Sequence, residues 1–246
     1  KIKGSTIENN TATNYGGSIY TKHATIIDNE ETQKTVIKLN KAKYGAGLCY
    51  IDCANNEIKG NTEIIENGSN TATEEGGAIY MSSTASNEVT VSILGNTKIT
   101  NCKAKKGGAV YMTGDISFFI KGNTEIKNCT ANAGGGAYVH SIGTSGWGFN
   151  IEQAAKFTVS TGGDANKIGK NDVYLNSGCM ISASSLTTGN GQAARISIDS
   201  GAYSTGTKVL DGGVGAHKKF IVTPQTGSSS NWYVGSDGKL TQTKPW

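Results

Sequence analysis

Tyrosine is the residue type whose spacing most suggests chemistry in this chain. Tyr20, Tyr50, Tyr80, Tyr111 and Tyr138 recur at steps of 30, 30, 31 and 27 residues, each just after a glycine-rich turn. Tyrosines at such intervals can stand in a column, a rigid amphipathic strip against which a sugar ring or a protein surface can lie. His140 lies two residues past the last of them, where earlier copies carry Lys22 and Asp52. These polar neighbours would supply hydrogen bonds. Tyr20, Tyr50, Tyr80, Tyr111, Tyr138 and His140 are therefore the candidate ligand-binding residues, with Tyr174 a possible continuation. The competing reading is that the rings stack on one another between strands and serve only the fold.

Other chemistries find less support. A polysaccharide lyase or glycoside hydrolase needs a base within hydrogen-bond reach, and glycoside hydrolysis needs two carboxyls roughly 5–9.5 Å apart. Asp28, Asp52, Asp115, Asp164, Asp172 and Asp199 are scattered, and no two share a column in adjacent copies. His23, His140 and His217 are far apart, and Arg195 is the sole arginine. No catalytic residue is assigned, and such an enzyme remains the alternative function. The stretch Gly162-Gly-Asp-Ala-Asn166 has the composition of a calcium-binding turn, but no acidic pattern repeats, so an ordinary turn is expected. No metal site and no cofactor are expected. Cys49, Cys53, Cys102, Cys129 and Cys179 form no Cys-x-x-Cys pair. They read as small apolar fillers, not as a disulfide framework or zinc site.

The elements that must position the tyrosines repeat with them. An Asn lies ten residues before each Tyr: Asn10, Asn40, Asn70, Asn101 and Asn128. Each copy has three apolar stretches. The first follows a turn such as Gly95-Asn-Thr. The second is the Gly-Gly-x-Ile-Tyr strand. The third alternates, as in Val89-Thr-Val-Ser-Ile-Leu94. Three short strands in 27 to 31 residues, with no helical period, predict one coil of a parallel β-helix.

Aligned on Tyr, the column before it reads Ile19, Cys49, Ile79, Val110, Ala137, and the column after it reads Thr21, Ile51, Met81, Met112, Val139. Side chains alternate along a strand. These flanking columns should face the core and the tyrosines should face out, with Lys22, Asp52, Ser82, Thr113 and His140. Gly-Gly suits a bend with positive φ or close backbone approach. The recurrent Asn suits the corner, where stacked amides would form a ladder. Lys43, Glu74-Glu75, Lys105-Lys106 and Asn132 precede successive Gly turns, so acidic would stack over basic.

Composition narrows the partners. The 246 residues hold 34 Gly and 2 Pro, and the net charge is +4. One Arg argues against nucleic acid, whose readers lean on Arg forks. No run approaches the roughly 20 apolar residues of a membrane span. Lys1-Ile2-Lys3-Gly4 already belongs to a repeat, so the chain reads as a monomeric segment of a longer protein, with targeting signals elsewhere and an uncapped first coil.

Asn-x-Ala…Gly-Gly-Ala-Ile at 70–79, with variants at 10–19 and 101–110, resembles the Gly-Gly-Ala-Ile half-motif of chlamydial polymorphic outer-membrane proteins. Similar repeats occur in large surface proteins of other bacteria. The family's second half-motif, Phe-x-x-Asn, is replaced by forms such as Ile99-Thr-Asn101. The later segments Asn171-Asp-Val-Tyr-Leu175, Lys208-Val-Leu-Asp211, Phe220-Ile-Val-Thr-Pro224 and Trp232-Tyr-Val234 resemble the C-terminal part of such modules. The resemblance implies an all-β, right-handed single-stranded parallel β-helix of the pectin-lyase-like type. About seven coils and a C-terminal β cap are expected, with residues 1–176 regular and 177–246 forming irregular final coils and the cap of the same domain. It also implies an extracellular or bacterial cell-surface location and a non-enzymatic, adhesin-like or stalk role, with a host protein or glycan as partner.

Overall fold

In the computed structural model, residues 1–28, 33–84, 88–141, 148–159, 167–187, 189 and 191–246 are described. The expected Asp164 and the turn at 162–166 lie outside them, as does most of the loop 141–148.

The chain winds through three short strands per coil. The first coil holds β1 (Thr6–Glu8), β2 (Ile19–Thr21) and β3 (Ile26–Asp28); the second holds β4 (Lys34–Lys38), β5 (Leu48–Ile51) and β6 (Asn56–Lys59). Then follow β7 (Asn61–Ile65), β8 (Ile79–Ser82) and β9 (Val89–Ile93), and next β10 (Lys98–Thr100), β11 (Val110–Thr113) and β12 (Ile116–Ile120). The fifth coil holds β13 (Glu125–Lys127), β14 (Ala137–Val139) and β15 (Gly148–Ile151); the sixth holds β16 (Lys156–Phe157), β17 (Val173–Leu175) and β18 (Ile181–Ala183). Beyond them come β19 (Ala194–Ile198), β20 (Leu210–Gly212), β21 (Phe220–Val222) and the antiparallel pair β22 (Tyr233–Val234) and β23 (Leu240–Thr241).

Each strand pairs in parallel with its counterpart one coil away, giving sheets β1-β4-β7-β10-β13-β16, β2-β5-β8-β11-β14-β17-β19-β21 and β20-β18-β15-β12-β9-β6-β3. This is the predicted all-β parallel β-helix. Six coils supply a strand to all three sheets, one fewer than expected, because the seventh turn has no strand in the first sheet. One contiguous core runs from Ile27 to Leu240. No helix among the described residues is long and apolar enough to cross a membrane.

The turns explain why this sequence coils. In the Gly-Asn-Thr turns, Gly60, Gly95 and Gly122 adopt φ of 73°, 71° and 70°. The hydroxyls of the buried Thr62, Thr97 and Thr124 then donate to carbonyls three residues back, at 3.1, 2.9 and 2.7 Å. The expected amide ladder exists, but its members differ from the sequence alignment. The Asn10 backbone N–H and side-chain amide both donate to Asn40 Oδ1 at 3.0 Å, and Asn40 repeats both bonds to Asn67. Cys102 and Cys129 occupy the next two rungs, as the pairings Gly68 with Lys103 and Lys103 with Thr130 show. Asn101 and Asn128 instead hold the left-handed corner one residue earlier, at φ 58° and 56°, a position filled elsewhere by Asn9, Leu39 and Glu66. Asn70 belongs to neither set. Ten residues before Tyr is thus a mixture of two structural roles.

Between coils the expected charge alternation brings Lys105 Nζ to 2.7 Å from Glu74 Oε1; outside that column, Lys38 also lies 2.9 Å from Glu8. Such exposed pairs contribute little each but favour this register.

Candidate functional site

The tyrosine face is built by the turn that precedes its strand. Gly16, Gly45, Gly76, Gly107 and Gly134 all take φ between 59° and 69°, so the first Gly of each turn marks the same point of the coil. Counting four residues onward reaches Tyr20, Cys49, Tyr80, Tyr111 and Tyr138. The pairing agrees: Tyr20 lies beside Cys49, Cys49 beside Tyr80, Tyr80 beside Tyr111, Tyr111 beside Tyr138 and Tyr138 beside Tyr174.

Tyr50 is therefore misplaced by the sequence alignment. It pairs with Met81 on the inward side, is wholly buried, and belongs to the main core. Cys49, expected inside, lies on the outer face with Tyr80, Tyr111 and Tyr138. The cause is the phrase Gly45-Ala-Gly-Leu-Cys-Tyr50, which has one more residue between its first Gly and Tyr than the other copies. Strand side chains alternate, so a one-residue slip reverses the face. Leu48 and Tyr50 take the inward columns, and Ile51, not Asp52, takes the polar one.

The gap that Cys49 leaves is closed by residues that sequence reasoning missed. Tyr15 and Tyr44 stand immediately before Gly16 and Gly45 and pair with each other, followed by Glu75, Lys106 and Ala133. The rings form one run: Tyr20 to Tyr15 at 5.6 Å, Tyr15 to Tyr44 at 5.3 Å, Tyr44 to Tyr80 at 5.4 Å, Tyr80 to Tyr111 at 5.5 Å, Tyr111 to Tyr138 at 5.5 Å and Tyr138 to Tyr174 at 4.8 Å. All but the Tyr44–Tyr80 contact are stacked. Each aromatic pair contributes roughly 0.5–1.5 kcal/mol beyond its buried area. An alignment on the first Gly would have revealed the Tyr-Gly pairs.

Exposure divides the ladder in two. Tyr20 and Tyr15 are 46% and 40% exposed. Tyr111 is 3% exposed, and Tyr80 and Tyr138 are nearly as buried. Burial pushes the Tyr80 and Tyr174 hydroxyls up to about 12, and the Tyr111 hydroxyl higher still, so all are neutral donors at physiological pH.

Polar groups edge the buried half. His140 stacks at 6.0 Å from Tyr111 and 6.2 Å from Tyr138. Lys106 Nζ lies 5.4 Å from the Tyr138 ring centre, and Lys43 Nζ lies 5.3 Å from that of Tyr44, within cation–π range. Glu75 hydrogen-bonds the Tyr111 hydroxyl; burial raises the Glu75 carboxyl above its ordinary range, against the pull of that bond and of Lys106. The other expected neighbours lie off the ladder. Asp52 accepts from the Thr84 N–H at 2.7 Å and from its hydroxyl at 2.9 Å, and Lys22 is exposed.

The described acids considered for catalysis have partners or surroundings of their own. Asp28 bridges Lys1 at 2.6 Å, Asp172 is buried, and Asp199 accepts from the Gly201 N–H at 3.1 Å. The five cysteines are buried and free, and burial pushes Cys49 up to about 12.

These features define a repeat-built parallel β-helix with an aromatic ladder on one sheet. Residues 4–22, within its first coil, match the family model of the Chlamydia polymorphic membrane protein (Chlamydia_PMP) repeat. That span contains Asn10 and Gly16-Gly-Ser-Ile-Tyr20. No curated protein and no solved structure matches the chain.

Proposed function

We propose that this chain is a non-enzymatic module of a bacterial cell-surface or secreted protein, acting as an adhesin-like element or a stalk. The repeat in the first coil and the stacked coils support a surface module, since a solenoid extends a surface without needing a globular core. The observation that carries the binding role is the exposed pair Tyr15 and Tyr20 at one end of a seven-ring ladder whose remaining rings hold them rigid. Rigid aromatic surface binds with little loss of side-chain entropy. A host glycan or protein would lie across Tyr20, Tyr15 and Tyr44, with Tyr80, Tyr111, Tyr138 and His140 as the supporting stack. Tyr50 has no part in it.

The test is a glycan and host-protein array with Tyr15→Ala/Tyr20→Ala beside wild type. Loss of at least about tenfold in affinity is expected if these rings are the central contacts. Undiminished binding by a folded double variant would end the platform reading. Product release from polyuronides or glycosaminoglycans would replace it with an enzyme.

A further inference from the structure

The turn between the first and second strands of each coil forms one outer edge of the solenoid. Backbone pairing sets the rungs along this edge, one per coil: Thr11, Lys41, Gly68, Lys103, Thr130 and Lys170. Lysine therefore recurs at every second rung. Two of the turns read Lys41-Ala-Lys43 and Lys103-Ala-Lys105. Ala42 and Ala104 are buried, while Lys41, Lys43 and Lys103 beside them are exposed. The coils between offer neutral polar groups instead. The third coil follows Gly68 with exposed Asn70 and Thr71, and the fifth carries Thr130 and exposed Asn132. Elsewhere on the solenoid, lysines are neutralised within the fold: Lys34 pairs with Glu63, Lys59 with Glu57, Lys121 with Glu152 and Lys156 with Glu125. On this edge Lys105 is held by Glu74, but Lys41, Lys43 and Lys103 have no ion pair among the described residues.

We propose that this edge binds a linear polysaccharide that carries an acidic group on alternate sugars, lying along the stack. Coils repeat about every 4.8 Å, so the lysine rungs recur at roughly 10 Å. A pyranose in an extended chain advances by close to one coil step, so every second sugar meets a lysine. The neutral sugars between them meet the amides and hydroxyls of the third and fifth coils, which exchange hydrogen bonds with sugar hydroxyls. Exposed Glu66 stands at the corner of the third coil, where it disfavours an acid at the neutral rung. Lysine gives each acidic group a point charge on a flexible stem. The forks that read nucleic acid are missing, since the sole arginine, Arg195, is buried and away from this edge. The edge does not include Tyr15 or Tyr20, so this binding stands or falls independently of the tyrosine platform.

Hyaluronan and unsulfated chondroitin octasaccharides carry a carboxylate on alternate sugars, whereas a polygalacturonate octamer carries one on every sugar. Each is titrated into the protein by calorimetry at about 0.15 M salt, where distant surface charges are largely screened. Duplex DNA and phosphatidylglycerol vesicles serve as comparisons. Saturable binding of at least one alternating octasaccharide is expected, tighter than that of polygalacturonate although it holds half the charge. Lys41→Gln/Lys43→Gln/Lys103→Gln should weaken it about tenfold or more. Lys103→Gln alone should weaken it about twofold to threefold. Lys22→Gln/Lys218→Gln/Lys244→Gln removes the same charge from exposed positions elsewhere, and should weaken it less than about threefold. Circular dichroism checks that each variant is folded. The proposal is overturned by no saturable binding of either alternating octasaccharide, by tighter binding of polygalacturonate, or by equal losses in the two triple variants. Tighter binding of DNA or of the vesicles would overturn it in favour of a phosphate-bearing partner.

Discussion

Tyr50 and Tyr111 follow similar phrases but meet opposite surroundings. Tyr111 stands in the outer ladder, where its hydroxyl meets Glu75. Tyr50 is wholly buried in the core, and its hydroxyl has no hydrogen-bond partner. Burial accordingly raises the Tyr50 pKa far above its ordinary value. An unsatisfied buried hydroxyl is destabilising by about 1–3 kcal/mol, whereas the ring itself packs well. Tyr50→Phe should therefore stabilise the protein by about 1 kcal/mol, seen as a rise of roughly 2–4 °C in Tm for a chain of this size. A fall in Tm would mean that the hydroxyl is satisfied and that the inward placement is wrong.

The glycine turn is the element that sets register, and its two positions differ in kind. Gly76 takes φ of +69°, and a Cβ there would lie 2.4 Å from Ile79 O. Gly77 has ordinary φ but is pressed by Gly108 O, 2.2 Å from where its Cβ would be. In the second coil the counterpart of Gly77 is Ala46, fully buried, so the coil accommodates a methyl at that point. Gly76→Ala should cost about 3 kcal/mol or more from combined backbone strain and clash. Gly77→Ala should cost clearly less. Urea unfolding of the two variants checks the order; a reversed ranking would show that close approach, not φ, defines the turn.

The whole molecule is one stack in which the first sheet ends at β16 while the second continues through β17, β19 and β21. Buried Asp172 and Arg195 occupy neighbouring positions there, one residue before the pair Val173 and Ile196 of β17 and β19. The Asp172 carboxylate accepts from the Gly135 and Gly169 N–H groups at 2.8 Å each, joining two coils. Burial nonetheless raises its pKa above the ordinary 3.8, and burial lowers that of Arg195 while Asp172 opposes the fall. The stability tied to this carboxyl is full below its unfolded pKa near 3.8 and is lost as pH rises through the raised folded value. Asp172→Asn does not titrate. Relative to wild type it should gain stability between pH 4 and pH 7, measured by chemical unfolding at both values. A difference that does not change with pH would refute the assignment. The sequence by itself determined the coil, because Gly, Asn and Thr at fixed intervals allow few other backbone paths. It also marked the outward tyrosines at 20, 80, 111 and 138. It did not determine which copy had slipped, because Gly45-Ala-Gly-Leu-Cys-Tyr50 conserves its Tyr spacing while shifting its glycine. Only the pairing of neighbouring coils decided that Tyr50 turns inward, that Cys49 leaves a gap and that Tyr15 and Tyr44 fill it. The same packing buried the middle of the ladder and left Tyr15 and Tyr20 open. The physical reason is that facing and exposure arise between coils stacked about 4.8 Å apart, whereas turn chemistry is contained within a few residues of one coil.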